Sequence, residues 1–177
     1  MRYFDELKKS MTWLGQKNNT IFLGQAVEYP GTAMTNTLSE IKEDKLFELP
    51  VAEEMQMGMT LGMSFEGLVP ISIFPRWNFV LCGMNQLVNH IDKLKYMNGE
   101  NFNSTIIIRT GIGSEKPLHP QYQHIGDFTS GLKEILKEIE IIVLENSDEI
   151  FESYKYAYSK KNKTTILVEY GDYYNEK

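Results

Sequence analysis

The sequence predicts an α/β fold, a doubly wound parallel sheet flanked by helices, and three observations carry that expectation. Strand-length apolar runs recur along the chain, most of them continuous and β-branched, as in strands covered on both faces. Helix-period segments lie between them, and such alternation builds βαβ units around a parallel sheet. The length, 177 residues with 42% hydrophobic and 12% aromatic content, suits a single domain over 1–177 and would be cramped for two.

Taken in chain order, Tyr3 to Gln16 is an amphipathic helix with Phe4, Leu7, Met11 and Leu14 on one stripe. Thr20 to Gly24 is a short strand ending in glycine, and Gln25 to Leu38, with Tyr29-Pro30-Gly31, reads as a loop. A short extended segment around Leu49-Pro50 gives way to a helix over Glu53 to Phe65. Leu68 to Phe74 is a strand, Phe79 to Tyr96 a helix and Ser104 to Arg109 a strand. Thr110 to Asp127 holds three glycines, two prolines and two histidines, and is too long for an ordinary connection. A helix over Phe128 to Lys137, a strand over Glu140 to Leu144, a helix over Ser147 to Lys160 and a strand over Thr165 to Glu169 follow. The last helix opens Asn146-Ser147-Asp148-Glu149, which offers a cap and acidic charge to its N-terminus. The polar tail from Gly171 to Lys177 has too little apolar content to start another domain.

Composition narrows the function. A net charge of −6 argues against a nucleic-acid binder, which needs clustered Lys and Arg. The single cysteine, Cys82, cannot form an intrachain disulfide. The charged start lacks the apolar core of a signal peptide, and no apolar run approaches the roughly 20 residues of a membrane helix. The expectation is a soluble, cytoplasmic protein that binds no membrane.

Several short segments are candidates for chemistry. Glu53 and Glu54 stand at a helix start, where a carboxylate meets the positive end of the helix dipole and can face a cleft at the strand ends; two acids simply favouring a helix start is the plainer reading. Gly58 and Gly62 lie four apart on one helix face, which admits another backbone, either a partner's or this domain's own sheet. Trp77 and Phe79 follow a strand and suit stacking on a flat heterocycle or core packing, the commoner role. His119 and His124 sit in the long loop; their spacing, without a nearby Cys or carboxylate, is a poor metal signal, and proton transfer is the sharper option for a loop imidazole. No phosphate-binding P-loop, Gly-x-Gly-x-x-Gly or nucleophile elbow is present in the sequence.

In this order and spacing, a set of these segments resembles one family. It comprises Phe22-Leu23-Gly24, Leu49-Pro50-Val51-Ala52-Glu53, Gly58-Met59-Thr60-Leu61-Gly62, Gly67-Leu68-Val69-Pro70, Asn78-Phe79, Asn85-Gln86-Leu87-Val88-Asn89, Lys93 with Tyr96-Met97-Asn98-Gly99, and Arg109. From about Ile21 to Glu169 the chain resembles the pyrimidine-binding domain of thiamine-diphosphate enzymes, and in particular the beta subunits of 2-oxo acid dehydrogenases such as pyruvate dehydrogenase, within the transketolase-like superfamily. The resemblance implies that Glu53 hydrogen-bonds N1′ of the cofactor's aminopyrimidine and favours the 4′-imino form that takes up the thiazolium C2 proton. It implies that Phe79 stacks on the pyrimidine, that His119 faces substrate, and that Gly58 and Gly62 lie at the subunit contact. Glu54, Trp77 and His124 acquire no role from it.

The departures from the family are also informative. Gly24-Gln25 stands where the family usually has Gly-Glu, and His119-Pro120-Gln121 where it has His-Ser-Gln. Family beta subunits continue into a further domain of similar size, and this sequence carries only the first, which implies a complex acting on a free acceptor more than on a tethered lipoyl arm. No Gly-Asp-Gly motif occurs; Gly126-Asp127-Phe128 and Gly171-Asp172-Tyr173 lack the second glycine. The resemblance therefore implies no metal ligands in this chain, with Mg²⁺ and the diphosphate held by an alpha-type partner in a heterotetramer. The expected function is decarboxylation of a small 2-oxo acid and transfer of the resulting acyl or aldehyde unit. The alternatives are a decarboxylase or carboligase outside any dehydrogenase complex, and a non-catalytic interaction subunit that keeps the fold.

Overall fold

The computed structural model describes residues 2–30, 32–99, 104–116 and 119–175. Gly31, positions 117 and 118 of the long loop, and the last two residues of the tail lie outside them. The strands are β1 (Thr20–Gly24), β2 (Leu46–Glu48), β3 (Val69–Phe74), β4 (Ile106–Ile112), β5 (Glu140–Leu144) and β6 (Thr164–Tyr170). The helices are α1 (Tyr3–Gly15), α2 (Ala33–Asn36), α3 (Glu53–Phe65), α4 (Trp77–Val80), α5 (Leu94–Asn98), α6 (Thr129–Ile135) and α7 (Ser147–Ser159).

All strands run parallel in the order β2-β1-β3-β4-β6-β5. Every residue of β3 and β4 is buried, Ser72, Arg109 and Thr110 among them, as in strands covered on both faces. Side chains leave alternate faces of the strands. Phe22, Ile71, Ile73, Ile107 and Leu167 meet Leu7, Met11 and Leu14 of α1 and Ile150 and Tyr154 of α7. Phe74, Ile106, Ile108, Ile166 and Val168 meet Met57 of α3, Trp77 and Val80 of α4 and Leu132 of α6. The sheet is thus covered on both faces, and the α/β doubly wound architecture read from the sequence is the one observed.

The differences have local causes. The edge strand β2 has three residues, pairs only with β1 and leaves Phe47 44% exposed, so it lacks the apolar run that marks the others. The stretch expected to be loop, Gln25 to Leu38, contains α2, capped where Thr32 Oγ1 accepts the Thr35 N–H at 3.1 Å. β4 continues through Gly111 and Ile112, because its register with β6 runs from Ile106↔Thr164 to Ile112↔Tyr170. The long loop therefore begins at Gly113.

The helix expected over Phe79 to Tyr96 is broken. It starts at Trp77 as α4, then passes through a 3₁₀ turn at Leu81–Gly83, a π turn at Gln86–His90 and a 3₁₀ turn at Ile91–Lys93 before α5. Two tertiary pulls distort it. Glu54 Oε1 accepts from Asn85 Nδ2 at 2.7 Å and Gln86 Nε2 at 3.1 Å. Fully buried Asp92 accepts the N–H groups of Lys137, Glu138 and Ile139 at 2.9, 2.9 and 3.2 Å, tying this stretch to the start of β5.

One polar network lies inside the sheet's α1/α7 side. Arg109 of β4 and Glu169 of β6 are both fully buried and pair bidentately, Nε to Oε1 at 2.6 Å and Nη2 to Oε2 at 3.0 Å. Tyr154 and Tyr174 donate to the same carboxylate, and Arg109 Nη1 donates to Thr37 Oγ1 at 2.8 Å. Burial works against the Arg109 charge, but Glu169 outweighs it and holds the guanidinium pKa above its ordinary value. Tyr174 belongs to the Gly171–Asn175 turn, so part of the polar tail is core.

Candidate functional site

Between β1 and β3 the strand order reverses: the chain goes to one side for β2 and returns on the other for β3. In an open parallel sheet such a reversal opens a crevice outside the carboxyl ends of the strands. Three segments border it: the residues after β1, the start of α3 and the residues after β3.

Gly24 ends β1 at φ +151°, and a Cβ there would lie 2.3 Å from the Ile73 carbonyl oxygen of β3, so only glycine lets the two strand ends come this close. The loop that follows is organised by Glu48 at the end of β2. Its carboxylate accepts the N–H groups of Ala26, Val27 and Glu28 at 2.7, 2.7 and 3.0 Å, holding Ala26 at φ +54°. That places Gln25, whose Nε2 donates to Glu53 Oε1 at 3.3 Å.

Glu53 is the first residue of α3, a position where an acid meets the helix dipole favourably. It is only 8% exposed, yet among the described residues it has no ion-pair partner and only the Gln25 hydrogen bond. Carboxylates are rarely this buried without a cation beside them. Beside it, Ala52, Glu54, Met55, Gly58, Met59, Cys82 and Gln86 line a shallow recess. Glu54 is taken up structurally; its hydrogen bond from Asn85, with that from Gln86, holds its carboxyl below the ordinary carboxylate value.

Phe79 is half-buried on α4 and its ring meets the His124 ring edge-on, with centroids 5.6 Å apart. Trp77 is fully buried and donates from Nε1 to Thr129 Oγ1 at 3.0 Å, which makes it a core residue. The Phe79 ring contact is with His124 and not with His119. His119 is exposed, with Nε2 3.4 Å from Glu115 Oε2, Nδ1 accepting the Gln121 N–H at 3.1 Å, and its ring against Tyr122. The structure therefore joins Glu53 to Gln25 and Phe79 to His124, and leaves His119 on the outer part of the loop.

Among the described residues, Gly58 has only Gln86 Cδ within 4 Å of where its Cβ would stand, at 3.9 Å, and Gly62 has no neighbour at that range. Of the two readings of these glycines, contact with this domain's own sheet is not the one observed.

Three further residues order the loops at this edge, a role that nothing in the sequence suggests for them. Arg76 donates from Nη1 to the carbonyls of Gly113 and His124, both at 3.0 Å. Burial pulls its pKa down, and Asp172 partly offsets that. Asp172 accepts the N–H groups of Ser114, Glu115 and Lys116 at 3.0, 2.8 and 3.4 Å. Glu48 has the corresponding role for the loop after β1. Each is an ordinary acid or base in the sequence, and only the fold brings it to backbone groups distant along the chain. No group of three or more His, Cys, Asp or Glu converges as a metal site among the described residues.

A parallel sheet with loops gathered at its carboxyl edge and a nearly buried carboxyl among them is the layout of an open α/β domain with a crevice at its topological switch point. More particularly, the chain belongs to the transketolase pyrimidine-binding domain family, which it matches over residues 7–174. It is 32% identical over 118 residues to the pyruvate dehydrogenase E1 component subunit beta of Gracilaria tenuistipitata var. liui, covering 63% of this chain and 36% of that one. It is 23% identical over 117 residues to the 2-oxoisovalerate dehydrogenase subunit beta of Bacillus subtilis (strain 168), covering 64% and 36%. The chain thus spans about a third of the length of these curated relatives. The fold matches that of a split-gene transketolase, an inactive beta4 tetramer, with a TM-score of 0.70 and 16% identity over 96% of this chain and 51% of that one. No helix among the described residues is long and apolar enough to cross a membrane.

Proposed function

We propose that the chain is the pyrimidine-binding, beta-type subunit of a two-chain thiamine-diphosphate enzyme that decarboxylates a small 2-oxo acid and transfers the acyl or aldehyde unit. In this reading its 177 residues act as one pyrimidine-binding domain. The single observation behind the reading is Glu53: nearly buried, without a cation, and placed where the strand order reverses. The named relatives, beta subunits of 2-oxo acid dehydrogenases, support it.

The residues fit an aminopyrimidine. Glu53 Oε2 makes no hydrogen bond among the described residues and is free to share a proton with a ring nitrogen. Phe79 presents a half-buried ring for stacking. When bound, thiamine diphosphate supplies the electron sink that lets a 2-oxo acid lose CO₂. This chain's part is to hold the proton at N1′ through Glu53, to orient that carboxyl through Gln25, and to offer the substrate a loop histidine, His119 by sequence match. Mg²⁺ and the diphosphate fall to an alpha-type partner in a heterotetramer, and the complex works in the cytoplasm.

Titration calorimetry tests the reading. Thiamine diphosphate with Mg²⁺ is expected to bind the isolated chain weakly and the co-purified two-chain complex tightly. A partner bearing Gly-Asp-Gly would support the assignment, and a pure complex that binds no thiamine diphosphate would reject it.

A further inference from the structure

The chain has three arginines, and two of them hold a carboxylate in the same way. Arg2 grips Asp5 along its Nε/Nη2 edge, at 2.9 and 3.2 Å, and Arg109 grips Glu169 along that edge at 2.6 and 3.0 Å. A planar guanidinium matches a carboxylate through two parallel hydrogen bonds of this kind. Arg76 departs from the pattern. It uses only Nη1, which donates to the carbonyls of Gly113 and His124, and its Nε and Nη2 donors make no hydrogen bond or ion pair among the described residues.

The unpaired edge is not on open surface. Arg76 is half-buried, and burial weighs against its charge. Taking a guanidinium from water while leaving donors unpaired is costly unless another group meets them. Asp172 is an acid whose charge acts on Arg76, but its carboxylate is committed to the N–H groups of Ser114, Glu115 and Lys116. Arg76 instead borders a recess of about 90 Å³, together with Thr32, Met34, Gly113, Ser114 and Tyr174. Ser114 is held at φ +63°, and its hydroxyl makes no hydrogen bond among the described residues. The recess therefore joins a free cationic edge to a free hydroxyl. The two carbonyl contacts fix the guanidinium, so the edge is ready for a ligand without rearrangement.

Its place in the chain narrows the ligand. Arg76 follows β3 at the carboxyl edge of the sheet and stands three residues before Phe79, so an anion held there belongs to what the site acts on. The carboxylate that departs as CO₂ is a poor candidate. Tying that group to a cation stabilises the ground state and raises the barrier to its loss. A second carboxylate, kept through the reaction, is positioned without that cost. We propose that Arg76 is a specificity-determining residue whose Nε/Nη2 edge binds the distal carboxylate of a dicarboxylic 2-oxo acid, with the Ser114 hydroxyl beside it. The proposal rests on the reading of this chain as part of an enzyme acting on a 2-oxo acid, and it names the substrate class.

The test is Nε–H NMR on the intact chain, labelled with ¹⁵N at its three arginines. Arg2→Gln and Arg76→Lys assign the signals. Three probes are titrated: 2-oxoglutarate, which has a distal carboxylate; 2-oxoglutaramate, which has an amide in its place; and pyruvate, which has neither. The Arg76 signal is expected to shift saturably with 2-oxoglutarate, and to need at least ~10-fold more of the other two. Arg76→Lys keeps the charge but not the fork and should weaken 2-oxoglutarate binding about tenfold in calorimetry. Ser114→Gly, which suits the left-handed backbone, should weaken it roughly threefold. In the two-chain complex, Arg76→Lys should lower the kcat/KM ratio of 2-oxoglutarate over pyruvate about tenfold; a merely structural role would lower both values and leave the ratio unmoved. Equal response of Arg76 to the three probes, or response to none, overturns the proposal and leaves the cofactor reading standing, since thiamine-diphosphate calorimetry decides that separately. A complex that binds no thiamine diphosphate removes the reading and the proposal with it, even if Arg76 still responds to 2-oxoglutarate. Unchanged binding in Ser114→Gly strikes that hydroxyl from the site. Should a variant fail to fold, the three probes on the unaltered chain decide alone.

Discussion

Glu53 carries the chemistry proposed for this chain, and its surroundings set how it should respond to change. An amide keeps the volume and the Gln25 contact but cannot hold or pass a proton, so Glu53→Gln should lower turnover of the two-chain complex by at least ~10². Proton exchange at C2 of bound thiamine diphosphate measures this directly, and an unchanged rate would remove Glu53 from the role. The buried phenols make a separate expectation. Burial raises the pKa of Tyr3, Tyr154 and Tyr174 well above the ordinary value, so they stay protonated while the chain is folded. Their unfolded value is about 10, so their contribution to stability is complete below that pH and is lost as pH rises beyond it. Ultraviolet titration should find that three of the ten tyrosines ionise only together with unfolding; early ionisation of all ten would contradict the packing described.

Helix α3 presents its glycines outward, and that face separates assembly from folding. With no neighbour among the described residues within 4 Å of its Cβ position, Gly62 accepts a side chain in the isolated chain, and Gly62→Ala should stabilise it by about 0.5–1 kcal/mol. Gly62→Leu should not lower the melting temperature of the isolated chain while weakening association with the proposed partner in sedimentation; intact assembly would place the interface elsewhere. The broken stretch after α4 gives the opposite case. Burial alone would raise the Asp92 carboxyl, but Lys93 and the amides of Glu138, Lys137 and Ile139 outweigh it and hold it below the ordinary value. This stabilisation is present above pH about 4 and is lost as pH falls through the folded value. Asp92→Ala, which orphans those amides, should cost about 2–3 kcal/mol in urea unfolding at pH 7, and much less of that difference should remain at pH 3. These elements also show what the sequence made legible. Long β-branched runs announced β1, β3, β4, β5 and β6 and fixed the fold class, because burial on both faces leaves a local mark. β2 left none, being a three-residue edge strand. The irregular path from Leu81 to Lys93 was hidden because its causes, Glu54 and Asp92, act on residues far away in sequence. At the site, Glu53 and Phe79 stood in a motif, whereas Arg76 and Asp172 act on loop backbone through tertiary contact alone.

At the scale of the whole molecule, two cores of opposite faces are stitched together by β4 and β6. Their ladder carries seven registered pairs, and the buried Arg109–Glu169 pair spans it at Arg109↔Leu167 and Gly111↔Glu169. Breaking a pair of this kind leaves a stranded charge, so neither strand is expected to come away while the rest remains folded. The loops that border the site are held by a few surface-accessible bonds, chiefly from Glu48, Arg76 and Asp172. Amide hydrogen exchange should therefore sort the molecule into two clocks. Loop amides at Ser114, Glu115 and Lys116 should exchange through local opening, and those of β4 and β6 only when the entire chain unfolds. If the strand amides exchanged as fast as the loop amides, the buried pair would not be the lock described. If they are the slowest in the molecule, isotope uptake at these two strands reads the global folding free energy without any denaturant, and cofactor or partner binding can be weighed by how far it slows them.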